Sequence, residues 1–146
     1  MAKKIKFAVI GSPISHSRSP EIHLEFATQA SLDIEFNKVE LSKSNLDDWV
    51  HSFFLEGGKG LSVTLPFKED CFSLADEVSL RANKTKAINV LYNKKGKILA
   101  DCTDGLGLVK DLVENKNQKI KDKSILLIGA GLSLIHISEP TRLQQI

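Results

Sequence analysis

With 146 residues, 42% of them hydrophobic and 26% charged, the chain has room for one ordinary core and the composition of a globular domain rather than a disordered one. Twenty Lys and Arg against eighteen Asp and Glu leave a formal charge of only +2, interspersed apart from Lys3, Lys4, Lys6 and a lysine cluster within 116–123, which argues against nucleic acid as a partner. No run approaches the roughly 18 apolar residues of a membrane span. Two cysteines, Cys71 and Cys102, make no disulfide framework, so a reducing cytoplasm is the expected compartment and a membrane is not an expected partner.

The N-terminal lysines precede only Phe7-Ala8-Val9-Ile10, too short for the apolar segment of a signal peptide. Residues 5–10 predict a first strand that stops at Gly11-Ser12-Pro13. Ser19 then caps a helix, with Pro20 at its first position and Ile22, Phe26 and Ala30 along one face. Residues 34–39 alternate as a second strand, and Leu46, Trp49, Val50 and Phe53 recur at helical spacing until Glu56-Gly57-Gly58 ends that helix. A third strand follows at 60–65, with short helices at 70–75 and 79–83. Residues 87–93 and 97–101 flank Asn93-Lys94-Lys95-Gly96, a hairpin signal with glycine at its end. Thr103 or Asp104 caps a helix to about residue 114, and a polar stretch leads to a buried-looking strand at 124–128. Two β-α units and a hairpin predict an α/β fold: a mixed, mostly parallel sheet with flanking helices.

The strand at 124–128 meets Gly129-Ala130-Gly131, the opening of a dinucleotide-binding turn in which glycines let the backbone approach a pyrophosphate at a helix N-terminus. Where that helix belongs, residues 132–140 alternate like a strand and carry Pro140.

Two strand ends carry the most telling chemistry. Val63-Thr64-Leu65-Pro66-Phe67-Lys68 closes a β-patterned run in a proline turn that delivers Lys68 to the end of the strand. About 35 residues on, Asp101-Cys102-Thr103-Asp104-Gly105 sets Asp104 at another strand-to-helix junction, and an Asp beside a Lys can hold and tune it for proton transfer. Lysine's ordinary pKa of about 10.4 makes such a partner, or burial, necessary near neutrality. Pattern alone equally reads Lys68 as a solvated residue and Asp104 as a helix cap, the commoner fates of these residue types.

Ser17 and Ser19 stand at alternate positions beside a helix N-terminus, which suits a carboxylate, although local pattern favours a loop residue and a cap. Thr64 fits a strand for packing reasons. Asn89, between Ile88 and Val90, is poorly suited to a strand interior, which points to a polar role for its amide. His16, His23, His51 and His136 show no paired spacing with each other or with the cysteines, so no metal is assigned.

In order and in register over residues 5–131, these segments resemble the shikimate dehydrogenase family. The resemblance implies an N-terminal α/β substrate domain, a Rossmann-type NADP domain and C-terminal helices that return to the first. It assigns residues 1–101 to the substrate-binding domain and 102–131 to the truncated beginning of the NADP-binding domain. Residues 132–146 resemble translated adapter or vector sequence and are expected to be a non-native tail. The activity implied is NADPH-dependent reduction of 3-dehydroshikimate to shikimate, on the route to chorismate and the aromatic amino acids, with this chain an inactive fragment. Lys68 and Asp104 match the family's catalytic pair and also touch substrate. Ser17 and Ser19 match residues on the substrate's carboxylate, Thr64 and Asn89 residues on its hydroxyls, and Gly129, Ala130 and Gly131 an incomplete cofactor motif. The implied partner is the small molecule shikimate or 3-dehydroshikimate, and a homodimer is the candidate assembly of the parent. A quinate/shikimate dehydrogenase using either nicotinamide is the alternative enzyme, although Phe67 before the lysine favours the shikimate-specific branch. A non-catalytic shikimate-binding module is the alternative class. Two positions depart from the family pattern: Ser62 stands where asparagine is frequent, and Cys102 replaces the asparagine usual in Asp-Asn-Thr-Asp-Gly.

Because no helix-forming segment follows Gly131, the 146-residue chain is expected neither to bind NADPH nor to oxidise shikimate. Calorimetric titration with NADPH should give no saturable heat; micromolar binding would show that residues 132–146 complete a cofactor site.

Overall fold

The computed structural model describes residues 4–126. Gly129, Ala130, Gly131 and the expected tail at 132–146 lie outside the described residues, as do Leu127 and Ile128 of the strand expected at 124–128; its first three residues, 124–126, adopt no regular structure.

Six strands form one sheet in the order β2-β1-β3-β5-β6-β4. β1 (Ile5–Gly11) lies parallel to both β2 (Ile34–Glu40) and β3 (Gly60–Val63). β5 (Val90–Lys94) runs antiparallel to β3 and forms a hairpin with β6 (Lys97–Asp101), and the two-residue β4 (Glu77–Val78) adds parallel to β6. The sheet is therefore mixed and mostly parallel, as the β-α-β-α-hairpin order predicts. The hairpin turn places Lys95 at φ 55° and Gly96 at φ 85°, consecutive left-handed residues whose twist matches that of the paired strands.

Strand periodicity sorts the side chains onto two faces. Ala8 and Ile10 of β1, Leu61 and Val63 of β3, Leu91 of β5, and Ile98 and Ala100 of β6 enter the larger core. That face is closed by Leu46, Val50 and Phe54 of α2 (Leu46–Leu55), by Cys71 and Leu74 of a 3-10 turn (Asp70–Leu74), and by Ala82 of α3 (Leu80–Thr85). Phe67, Ile10, Leu46, Ile88 and Leu91 are each under 2% exposed, and side chains of this kind each contribute about 1.5–3 kcal/mol of burial.

Val9, Ile34 and Phe36 form the smaller core on the opposite face with Ala27 of α1 (Ser19–Gln29), and Ile5 and Phe7 pack against it. Here the expected helix face is corrected. Ile22 and Phe26 are about half exposed and Ala30 is exposed, while Ala27 is the buried residue of α1. α1 packs mainly on β1 and β2. Beyond it an open apolar groove is lined by Phe7, Phe26, Leu32, Phe36, Leu61 and Tyr92. Phe26 borders this groove instead of pressing into a core, because the sheet face next to it carries no second helix among the described residues.

Other boundaries shift by a few residues. β3 ends at Val63, so Thr64 follows the strand rather than lying in it, and β5 begins at Val90, so Asn89 precedes it. α1 begins at Ser19 itself, preceded by Arg18, and the Ser19 hydroxyl does not cap it. α4 (Asp104–Lys110) runs into a π-helical turn (Asp111–Asn115), and Thr103, which precedes it, makes no side-chain cap hydrogen bond. α3 does carry a side-chain cap: the Ser79 hydroxyl accepts from the Ala82 N–H at 3.1 Å.

At the end of β1 the backbone passes tightly against the segment after β3. Ser12 N–H donates to the Leu65 carbonyl at 3.1 Å and Thr64 N–H to the Ile10 carbonyl at 3.0 Å. A Cβ on Gly11 would stand 2.6 Å from the Thr64 methyl and 3.0 Å from the Leu65 carbonyl oxygen. Gly11→Ala should therefore destabilise the chain by about 1–3 kcal/mol, measured by urea unfolding. A neutral substitution would mean that the two segments are less closely packed than described.

Candidate active site

The topology gathers the candidate residues at one edge of the sheet. β1 and β3 are parallel and end there, antiparallel β5 begins there, and β6, antiparallel to β5, ends there. The segments 12–19, 64–68, 88–89 and 102–104 are thus neighbours because four strand ends are neighbours.

Each junction is pinned by backbone hydrogen bonds. Val63 N–H donates to the Asn89 carbonyl at 2.8 Å, Ile88 N–H to the Lys68 carbonyl at 2.8 Å, and Asn89 N–H to the Asp101 carbonyl at 3.1 Å. Phe67, wholly buried, anchors the turn that carries Lys68. With its backbone fixed, Lys68 donates from Nζ to Asp104 Oδ2 at 2.5 Å, and the lysine side chain is only 12% exposed against 32% for the aspartate. A largely buried ammonium needs an anion in contact, and Asp104 supplies it.

Asn89 holds the other side of Asp104. Its Nδ2 donates to Asp104 Oδ1 at 2.7 Å and to Thr103 Oγ1 at 3.0 Å, while its Oδ1 accepts from the Thr103 N–H at 2.9 Å. The structure brings Lys68 and Asn89 each into direct contact with Asp104, on its two carboxylate oxygens. Thr64 lies on the same rim, its carbonyl accepting from the Phe67 N–H at 3.0 Å. Ser17 and Ser19 face each other: Ser17 Oγ donates to Ser19 Oγ at 3.2 Å and accepts from the Ser19 N–H at 3.3 Å. They stand at the start of α1, after β1, on the shared edge. Gly129, Ala130 and Gly131 are outside the described residues.

Sequence reasoning missed Asp101, Ser79 and Arg81. The Asp101 carboxylate accepts from Ser79 Oγ at 2.5 Å, from the Cys102 N–H at 2.8 Å and from Arg81, which forms an ion pair with it. The available signal was an aspartate closing a strand two residues before Thr103, opposite a helix start rich in donors. Partial burial opposes ionisation of Asp101, but hydrogen bonds from Arg81, Ser79 and the Cys102 amide, with the charge of Arg81, outweigh it and hold the carboxyl below its ordinary value.

The two departures from the family pattern settle into the framework. Cys102 is 3% exposed and its side chain joins the larger core, so the thiol serves packing while its amide serves Asp101. Ser62, half-buried, pairs with Val9 and Val90 on the face that bears the apolar groove. Cys71 is buried too, and burial, with the Asp70 and Asp47 carboxylates, pushes its thiol up to about 12, which leaves it protonated and unreactive at neutral pH.

Polar side chains gathered at the strand ends of an α/β sheet define a small-molecule-binding domain. Comparison with known proteins specifies which one. The family model of the shikimate dehydrogenase substrate binding domain matches residues 9–91, and the chain belongs to that family. The NADP(+) shikimate dehydrogenase of Chromobacterium violaceum is 44% identical over 135 residues, covering 92% of this chain and 50% of that protein. Among solved structures, an Ael1 enzyme from Pseudomonas putida superimposes with a TM-score of 0.89 at 39% identity, covering 94% of this chain and 51% of that one. A shikimate 5-dehydrogenase from Listeria monocytogenes, solved with shikimate and NAD, gives a TM-score of 0.87 at 28% identity, covering 92% and 46%. The chain spans about half the length of the relatives it matches.

Asp101 yields an acid-stability prediction. Its carboxyl is depressed in the fold from an ordinary value of 3.8, so the unfolded chain takes up the proton more readily. The stabilisation is fully present above about pH 4 and is lost as pH falls through the folded-state value. Urea unfolding should find Asp101→Asn less stable than the parent at pH 7, with the gap closing as pH falls below about 4. A gap that stays constant as pH falls would remove Asp101 from the acid response.

Proposed function

We propose that this chain is the substrate half of a shikimate dehydrogenase, an enzyme that reduces 3-dehydroshikimate to shikimate with NADPH on the route to chorismate and the aromatic amino acids. The observation that carries the reading is the 2.5 Å contact between Lys68 and Asp104, with Asn89 on the second carboxylate oxygen. Family membership and the Listeria relative solved with shikimate support it.

In this reading the Ser17 and Ser19 hydroxyls hold the carboxylate of the substrate, and Thr64 and Asn89 hold its ring hydroxyls. Asn89 already spends both amide protons on Thr103 and Asp104, so toward a hydroxyl it offers mainly its oxygen. Lys68 points at the ring carbonyl and gives its Nζ proton to the oxygen as the carbonyl carbon is reduced. The C=O bond becomes CH–OH, and Lys68 recovers its proton from solvent. In the reverse direction Lys68 is the base. Asp104 keeps the ammonium in place and balances its charge.

NADP(H), when bound, supplies the hydride. The residues proposed for it, Gly129, Ala130 and Gly131, lie outside the described ones, so the described residues account for the proton and for substrate orientation. A solved shikimate dehydrogenase relative at 27% identity, in complex with NADP+, supports that cofactor. The division at residues 101/102 and a homodimeric parent belong to the same proposal. Two buried cysteines that form no disulfide support a reducing cytoplasm, and among the described residues no helix is long and apolar enough to cross a membrane.

The test is Lys68→Ala in a full-length enzyme, made by extending this chain after residue 126 with the second half of the Chromobacterium relative. Turnover should fall by roughly 10²- to 10⁴-fold, with a much smaller change in shikimate affinity. Turnover within a few-fold of the parent would reduce Lys68 to a structural ion-pair partner.

A further inference from the structure

The Asp101 carboxylate collects donors from three places. Ser79 Oγ, one of them, simultaneously caps α3 by accepting from the Ala82 N–H at 3.1 Å, and its own backbone N–H donates to the Ala100 carbonyl at 2.9 Å. Arg81, two residues on, contributes Nε at 3.2 Å to Oδ1 and Nη2 to Oδ2. The third donor is the Cys102 N–H, at 2.8 Å to Oδ1. Asp101 thereby fixes the peptide unit that begins the turn into α4. The next amide, of Thr103, is fixed by Asn89 Oδ1 at 2.9 Å, and the next side chain, of Asp104, by Asn89 Nδ2 at 2.7 Å and Lys68 Nζ at 2.5 Å. Three consecutive residues are held from two sides, by Asp101 on one and Asn89 on the other.

We propose that Asp101 is a positioning residue for Asp104: clamped by Ser79 and Arg81, its carboxylate sets the Cys102 peptide and so the direction in which Asp104 meets Lys68. The role is distinct from tying α3 to β6, which the Ser79 N–H bond and the β4–β6 pairing already do. Its purpose rests on the shikimate reading above. Neither Arg81, half exposed on the outer side of α3, nor Asp101 is placed in contact with substrate. They act on the site through two intervening residues.

The test uses the 146-residue chain in four forms: parent, Asp101→Asn, Asp104→Asn and the double variant, with Arg81→Gln as a milder second way to loosen the clamp. Asparagine at 101 keeps the shape but turns an amide NH2 toward Arg81 or Ser79, a donor facing a donor. Amide hydrogen exchange should speed up by about tenfold at Cys102 and also at Thr103, whose N–H does not touch Asp101, while β1 amides stay unchanged. Titration with shikimate should weaken by about tenfold in Asp101→Asn, with less than about twofold further loss when Asp104→Asn is already present. A purely structural role predicts that the two losses multiply. Unchanged exchange at Thr103 in both Asp101→Asn and Arg81→Gln, or multiplying losses, overturns the proposal. If no form binds shikimate, the functional reading fails, and the exchange result alone decides whether Asp101 positions the turn.

Discussion

A lysine held at 12% exposure is the constraint on which the architecture of this domain turns. An ammonium withdrawn from water loses hydration that only a close anion and good hydrogen bonding replace, and removing one partner of such a pair strands the other. The partners come from different strand ends, 36 residues apart in the chain, so each backbone must be placed independently and well. That explains the density of bonds at the sheet edge: Phe67 buried beneath the lysine turn, Ile88 N–H on the Lys68 carbonyl, and Asn89 bridging Thr103 and Asp104. The pair is less an added feature than the point where the sheet's connectivity is read out as chemistry.

The two faces of the sheet serve different ends. The larger core stacks α2, the 3-10 turn and α3 against β1, β3, β5 and β6, and includes Phe67, Ile88 and Cys102 next to the site residues. Opposite, α1 covers β1 and β2 and leaves Phe7, Phe26, Leu32 and Tyr92 around an open groove. The groove is almost wholly apolar, whereas the strand-end rim carries serines, a threonine, an asparagine and the ion pair. A polyhydroxylated carboxylic acid needs hydrogen-bonding partners for every polar group it buries, and the rim offers them while the groove does not.

Local pattern carried far where periodicity was strong and failed where contacts were made by distant partners. The alternation of residues 5–10, the helical spacing of Leu46 and Val50, and the Asn93-to-Gly96 hairpin signal all appear in the structure at or near their expected places. Lys68 and Asp104 were legible as residues at strand-to-helix junctions, and the resemblance paired them. Strand ends were overrun at Thr64 and begun too early at Asn89, because the β-like character of both segments persists after the ladder has stopped. The face of α1 was misjudged for a different reason: Ile22, Phe26 and Ala30 have the right spacing for burial, but what buries a helix face is the surface opposite, and that is not written in the helix. Asp101 escaped because its partners, Ser79 and Arg81, lie 22 and 20 residues away and are brought to it by a two-residue strand too short to leave a pattern.

The most direct measurement of whether this edge is the substrate site is a residue-by-residue NMR map of the 146-residue chain titrated with shikimate. The account predicts saturable shifts concentrated at Ser17, Ser19, Thr64, Lys68, Asn89 and Asp104, with Phe7, Phe26 and Tyr92 unmoved. Shifts centred on the apolar groove, or none at saturating shikimate, would contradict it.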